Sequence, residues 1–260
     1  MERHLAWFEE FVNGFLTGEP EHDQHIRLKR EHSLNVLAEA RAILARERPG
    51  PDTGVGLAPC LERAALLAAL YHDMGRFPQY RTYATFRDDI SENHAHLGVR
   101  TLRPLALIRA LDAPLRALVL GAVVLHNRRS LPGRISPELR FAANVVRDSD
   151  KLDIVRIMLE HMRPGGKRSE VVMLHVADEP ERYTPRIVRQ IEARSIGDYA
   201  LMRYGNDFAL LLLSWVYDLN FACSRRAFLE RGHAEEIFGL LPKVPELTRL
   251  KDRIYDDLKR

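Results

Sequence analysis

Apolar side chains recur every three to four residues along most of this chain, and that period restricts it to packed helices. Trp7, Phe8, Phe11, Val12 and Phe15 share one stripe and predict a first amphipathic helix ending near Gly18-Glu19-Pro20. A second helix over about 21–48 carries Val36, Ile43 and Leu44 on its apolar face, and Pro49-Gly50-Pro51-Asp52 stops it. A third begins after Pro59. Ala64, Leu67, Leu70 and Tyr71 make it apolar enough to be buried nearly all round, with Gly75 as its C-cap. Arg76 to Ile90 reads as a polar loop, and Ser91 as the N-cap of a fourth helix with Asn93 and His94 in its first turns. A fifth, apolar helix covers about 114–126. Ser136-Pro137 opens a sixth that runs to about Met162, before Pro164-Gly165-Gly166. Glu170 to Val176 alternates weakly and offers one short strand. The helical pattern returns at Pro185, is very apolar over Phe208 to Val216, and resumes after a turn at Pro242 and Pro245. The expected fold class is all-α.

Composition narrows the setting. The 260 residues suffice for one large domain. No run approaches the roughly 18 uninterrupted apolar residues of a membrane span, and Met1-Glu2-Arg3-His4-Leu5 lacks the apolar region of a secretory signal. Cys60 and Cys223 make neither a disulfide framework nor a thiolate zinc site, so a reducing, cytoplasmic location is expected. The net charge of +3 is small, the basic residues are mostly arginine, and like charges form no long run, so nucleic acid is not an expected partner. The apolar run Leu210 to Val216 reads as core or as a contact between subunits of a homo-oligomer.

Six residues stand apart: His32, His72, Asp73, His94, His126 and Asp150. Each falls within or at the end of a predicted helix. Neutral imidazole and carboxylate are the ligands that borderline divalent metals prefer, and helices in a bundle can aim such groups inward from several directions. The pair His72-Asp73 is the most informative. It ends the apolar run Ala64 to Tyr71, where an unpaired carboxylate costs several kcal/mol to desolvate unless a cation compensates it. Asp150 poses the same question between Val145-Val146 and Leu152, Ile154 and Val155. Each residue alone has a plainer reading: His32 as a hydrogen-bonded core histidine, Asp73 as a helix-end residue bonded to backbone, Asp150 as a partner of Arg147 or Lys151. Their occurrence in order along consecutive helices favours metal.

The order His32, then His72-Asp73, then Asp150 resembles the signature of the HD superfamily of metal-dependent phosphohydrolases. Asp148-Ser149-Asp150-Lys151-Leu152-Asp153 looks like that family's Asp-x-Asp-Lys-Leu-Asp stretch, and His72-Asp73-Met74-Gly75-Arg76-Phe77 resembles its His-Asp turn. His94, four residues before Gly98, and His126, after an apolar helix, match positions filled in members with two metals. The resemblance covers roughly 26–160. It implies an all-helical fold and says little of the first helix or of the region after Pro164; together with the helical pattern after Pro185, the expectation is one HD domain over 1–260, with a core of about 21–163 and extra helices over about 185–260. The resemblance further implies one or two divalent ions (manganese, magnesium, iron, cobalt, nickel or zinc): one on His32, His72, Asp73 and Asp150, a second on His94 and His126 with Asp73 bridging. The implied activity is hydrolysis, by metal-activated water, of a small and nucleotide-like phosphomonoester or phosphodiester. Asp73 is then catalytic, and Arg76 and Lys151 bind the phosphate.

Two departures argue against the family's cyclic-dinucleotide phosphodiesterases: Asn127 stands where a second histidine is usual, and no Gly-Tyr-Pro follows Arg128. Two other readings use the same six residues, a di-iron oxygenase of the HD type and a non-catalytic module held together by metal. His96, two positions from His94, should point away from the ligands. His4, His22, His25, His161, His175 and His233 are expected at the surface or at helix ends.

Overall fold

The structure is a computed structural model and describes residues 1–47, 59–163, 177 and 179–259. These residues are overwhelmingly helical, and among them there is no strand, only an isolated bridge between Ala177 and Tyr204. Glu170 to Val176 lies outside the described residues. The chain divides into two compact units, Met1–Asp153 and Ile154–Arg260.

The first unit contains α1 (Glu2–Asn13), α2 (Pro20–Arg46), α3 (Pro59–Tyr71), α4 (Arg76–Tyr83), α5 (His94–Leu102), the short α6 (Ala106–Arg109), α7 (Ala113–Leu125) and most of α8 (Pro137–Met162). Helix α3 packs against α2 and α7, and α5 against α4 and α7. As its composition predicts, α3 is buried nearly all round beyond its first turn: Ala64, Ala65, Leu67, Ala68, Ala69, Leu70 and Tyr71 expose essentially nothing, and Leu66 is partly exposed. The aromatic stripe of α1 closes over this core, with Phe8, Phe11 and Phe15 around the ring of Phe77 at 5.8–6.1 Å. His4 lies one turn before Phe8 on that stripe and is therefore buried, not at the surface as its isolation in the sequence suggested. Its Nδ1 meets the Tyr71 hydroxyl at 2.9 Å. Burial and nearby positive charge push its pKa down to about 4. His25 is buried as well, against the same expectation, and His233 is buried at the first residue of its helix, one of the two places expected. His22 and His161 are partly exposed, and His175 lies outside the described residues.

Polar caps set where the helices start. Glu19 accepts from the amides of Glu21 and His22, Asp112 from Leu115, and Ser136 from Leu139. Two expectations are corrected between α3 and α5. Arg76 to Tyr83 is helical because Phe77, Gln79 and Tyr80 are buried on one side, and Pro78 sits in the first turn, where its missing N–H costs nothing. The N-cap of α5 is Asn93, whose side chain accepts from Ala95 and His96 at 3.1 Å. Ser91 instead donates to the Arg87 carbonyl and accepts from Gln79.

The second unit contains the end of α8, then α9 (Pro185–Glu192), α10 (Gly205–Ser214), α11 (Ala222–Glu230), α12 (His233–Leu240) and α13 (Pro245–Leu258). Leu210 to Leu213 form its buried centre. Asp207, fully buried, accepts from the amides of Thr184, Arg203 and Tyr204 and from the Thr184 hydroxyl at 2.6–3.1 Å, a structural clamp with no donor left over. No described helix is long and apolar enough to cross a membrane.

Candidate metal centre

Five elements of the first unit deliver the six residues. Helix α2 supplies His32, the turn after α3 supplies His72 and Asp73, and the first residue of α5 is His94. His126 caps α7, and Asp150 projects from α8. The turn after α3 works only with glycine at position 75. A Cβ there would lie 2.0 Å from the carbonyl oxygen of His94 and 2.6 Å from the amide of Gly98. Gly75, with an ordinary φ of −71°, precedes α4 as its N-cap and is not the C-cap of α3, which ends at Tyr71; it permits close approach of the α5 backbone. Gly98 faces it from the other side, which explains the spacing from His94.

Every one of the four histidines has an acceptor at Nδ1. His32 meets Asp153 at 2.7 Å, His72 the Ala69 carbonyl at 2.8 Å, His94 the Asp88 carboxylate at 2.7 Å, and His126 the Val123 carbonyl at 2.7 Å. Each Nδ1 donates, so each Nε2 is turned to the centre of the cluster. There His32 and His72 approach at 3.3 Å, and His94 and His126 at 3.1 Å. Asp150 Oδ1 lies 3.0 Å from His32 Nε2 and 3.6 Å from His72 Nε2.

Asp73 stands between the two histidine pairs and divides its oxygens. Oδ2 faces His32 and His72 at 3.7 and 3.8 Å, and Oδ1 faces His94 and His126 at 3.5 and 3.9 Å. Ligand atoms of His32, His72 and Asp73, of His72, His126 and Asp150, and of Asp73, His94 and His126 lie close enough that each trio could hold a metal ion. The donor set fits one. Neutral His94 and His126 point lone pairs at each other across 3.1 Å, a repulsive arrangement that a cation between or beside them relieves.

Electrostatics agree. Burial, reinforced by His94 and His72, holds His126 down at about 3, so it is neutral. Burial and Arg76 lower His94 against the pull of Asp88. His32 differs: burial pushes it down, but its bonds to Asp150 and Asp153 prevail and raise it. Burial favours a neutral Asp73, yet Lys29, His72, Arg76 and His94 hold its carboxyl well below the usual carboxylate range. Asp150 is likewise held down against burial by His32 and His72.

Three positioning residues escaped the sequence reading. Asp153 orients His32. Asp88 orients His94, accepts from Arg76 and Gln79 at 3.0 Å, and is 3.4 Å from the amide nitrogen of Asn127. Arg147, fully inside α8, donates to the carbonyls of His126 and Arg128 and holds the end of α7. Asp153 was visible inside the Asp-Lys-Leu-Asp stretch, but nothing in the spacing of Asp88 marks it, because the chain folds back over twelve residues to reach Arg76. Of the two expected phosphate-binding residues, Arg76 reaches the centre, with Nε 3.5 Å from Asp73 Oδ1. Lys151 turns its ammonium to the Arg147 carbonyl, 3.4 Å away and one turn back along α8. A cation of the chain itself compensates Asp73: Lys29 Nζ lies 2.8 Å from Oδ2. His96 is exposed, pointing away as expected.

An all-helical unit that gathers histidines and aspartates from five segments around one central carboxylate has the makings of a metal-binding helical domain. The profile of the HD domain matches residues 30–191, and the chain belongs to the HD-domain family. That family consists generally of metal-dependent phosphohydrolases. No curated protein and no solved structure matches the chain.

Proposed function

We propose that this protein is a metal-dependent phosphohydrolase acting on a small, nucleotide-like phosphate ester. The observation that carries the reading is the division of Asp73: one buried carboxylate offers Oδ2 to the His32–His72 pair and Oδ1 to the His94–His126 pair. Two divalent ions bound there would lower the pKa of water and stabilise charge on phosphoryl oxygens. His32, His72, Asp73 and Asp150 would hold one, and His94, His126 and Asp73 the other. Asp153 and Asp88 would keep His32 and His94 in the ligating tautomer. Arg76 lies at the edge of the cluster, where its guanidinium suits phosphate. In the reaction the oxygen of water bonds to phosphorus, the ester P–O bond breaks, and the leaving alcohol takes up a proton.

The test is metal analysis of protein purified without added metal, followed by a phosphatase screen with each divalent ion restored. Two equivalents of metal and metal-dependent release of phosphate are expected. Bound iron with oxygen consumption and no phosphate release would instead mark a di-iron oxygenase. Metal without turnover of any substrate would mark a module that metal merely holds together.

A further inference from the structure

Two cations reach Asp73, and they reach opposite oxygens: Lys29 Nζ is 2.8 Å from Oδ2, and Arg76 Nε is 3.5 Å from Oδ1. Both stand at the open edge of the cluster. The Lys29 and Arg76 side chains keep 17% and 16% of their surface exposed, against 4% for Asp73 and 0% for His72. Neither cation is placed there by chance. His25, Lys29 and His32 occupy one face of α2 at helical spacing, so the lysine stem rises beside a ligand. Its ammonium sits 5.3 Å from the centre of the Phe86 ring, and the Arg76 guanidinium lies over the same ring at 5.9 Å. Phe86 is itself stacked on Tyr80 at 4.8 Å. Arg76 commits Nη1 to Gln79, to Asp88 and to the Phe86 carbonyl. Its Nε, buried and without a hydrogen-bond partner, is turned toward Asp73.

We propose that Lys29, paired with Arg76, receives the substrate's phosphoryl group, and that the pair selects a phosphomonoester dianion over a phosphodiester monoanion. The proposal rests on the phosphohydrolase reading above. Four carboxylates, Asp73, Asp88, Asp150 and Asp153, match the charge of two divalent ions. With both ions bound, Lys29 and Arg76 would therefore leave this set of groups with a net excess of two positive charges, although each also pairs with one of its carboxylates. A terminal phosphate near neutral pH carries close to two negative charges and cancels them; a diester carries one and leaves the other unmatched. Charge-assisted bonds from an ammonium and a guanidinium to phosphate oxygens are also the strongest this edge can offer. Lys29 thus stands beside Arg76 at this edge, while the Lys151 ammonium lies 3.4 Å from the Arg147 carbonyl.

The test compares wild type, Lys29→Gln and Lys29→Arg, all loaded with manganese. Glutamine keeps a donor for Asp73, and arginine keeps the charge. Three readouts are taken: manganese stoichiometry, orthophosphate affinity by calorimetry, and kcat/KM on p-nitrophenyl phosphate and bis(p-nitrophenyl) phosphate. Lys29→Gln is expected to bind manganese at the wild-type stoichiometry while losing roughly tenfold or more in orthophosphate affinity, the usual weight of one hydrogen bond to a charged group. Its kcat/KM should fall by a similar factor on the monoester and by clearly less on the diester, and Lys29→Arg should recover most of both losses. Wild-type orthophosphate affinity in manganese-loaded Lys29→Gln overturns the proposal and leaves the metal centre standing, as does an equal loss on the two esters. A wild-type protein that binds no divalent ion overturns the phosphohydrolase reading, and this proposal with it.

Discussion

Asp73 is the residue on which the centre turns, and its context explains how far it was legible. A carboxylate ending an apolar run needs a cation, and that much follows from sequence. Which cation does not: Lys29 is 44 positions away in sequence and 2.8 Å away in space. Its one mark in the sequence is its place three residues before His32 on the same helix face, a mark that acquires meaning only once His32 is placed. Replacing Asp73 with alanine removes an oxygen from each histidine pair, so manganese stoichiometry should fall from two toward zero and activity by more than about a hundredfold, beyond the usual loss for a residue that only orients a ligand. Retention of wild-type stoichiometry by Asp73→Ala would end the bridging assignment. His32 gives a pH prediction. Its raised pKa means that, on the acid side, a proton competes with metal for Nε2. Manganese affinity should therefore strengthen as pH rises from 6 to 8, by up to about tenfold per unit while His32 is still protonated, and level off above its pKa. Titrations at three pH values check this, and a flat profile would contradict it.

At the scale of elements, what matters is how closely α5 approaches the turn after α3. Sequence periodicity predicts both helices but not their contact. The contact is decided by Gly75 and Gly98, which let two backbones meet with no Cβ between them. Gly75→Ala places a methyl group 2.0 Å from the His94 carbonyl oxygen, and backbone does not yield as a flexible side chain would. Overpacking of this kind costs about 1–3 kcal/mol. Because the displaced residue is His94 itself, the variant should lose about one equivalent of metal as well as melting temperature. A Gly75→Ala protein with full metal content and unchanged melting would show that the approach is looser than this geometry. The same region shows why local signals mislead. Ser91 is as good an N-cap as Asn93 by propensity, but its hydroxyl is drawn to Arg87 and Gln79 by the folded-back 3-10 turn at Asp88–Ile90. Helix α4 hides behind its charges, because Phe77 and Tyr80 supply an apolar side only when α1 and α2 are present to cover it.

On the scale of the whole molecule, all six residues of the centre fall in the unit Met1–Asp153. Metal should stabilise that unit by mass action, about 2.7 kcal/mol when free metal is a hundred times its dissociation constant. Chelation should lower the melting temperature accordingly. Hydrogen exchange with and without manganese should show protection gained around His32, His72-Asp73, His94, His126 and Asp150. Protection confined instead to helices of Ile154–Arg260 would place the metal elsewhere. The second unit is held by groups of its own, such as Asp207 on Thr184, Arg203 and Tyr204.

By itself the sequence determined the all-helical class, the order of the main helices and the identity of the six converging residues. The first two follow from periodicity and the burial of Asp73 and Asp150 from the cost of desolvating charge, both of which act along or near the chain, whereas the grouping of His32, His94 and His126 with them came from the resemblance to the HD family. The caps Asp112 and Ser136 were of the same local kind, although only Ser136 was marked. Tertiary structure alone decided what lies next to what. It turned His4 inward, brought Lys29 to Asp73, and set Asp88 behind His94. Each of these depends on which helix faces which across a distance that no local pattern encodes, since a helical stripe says that a side will be covered but not by what.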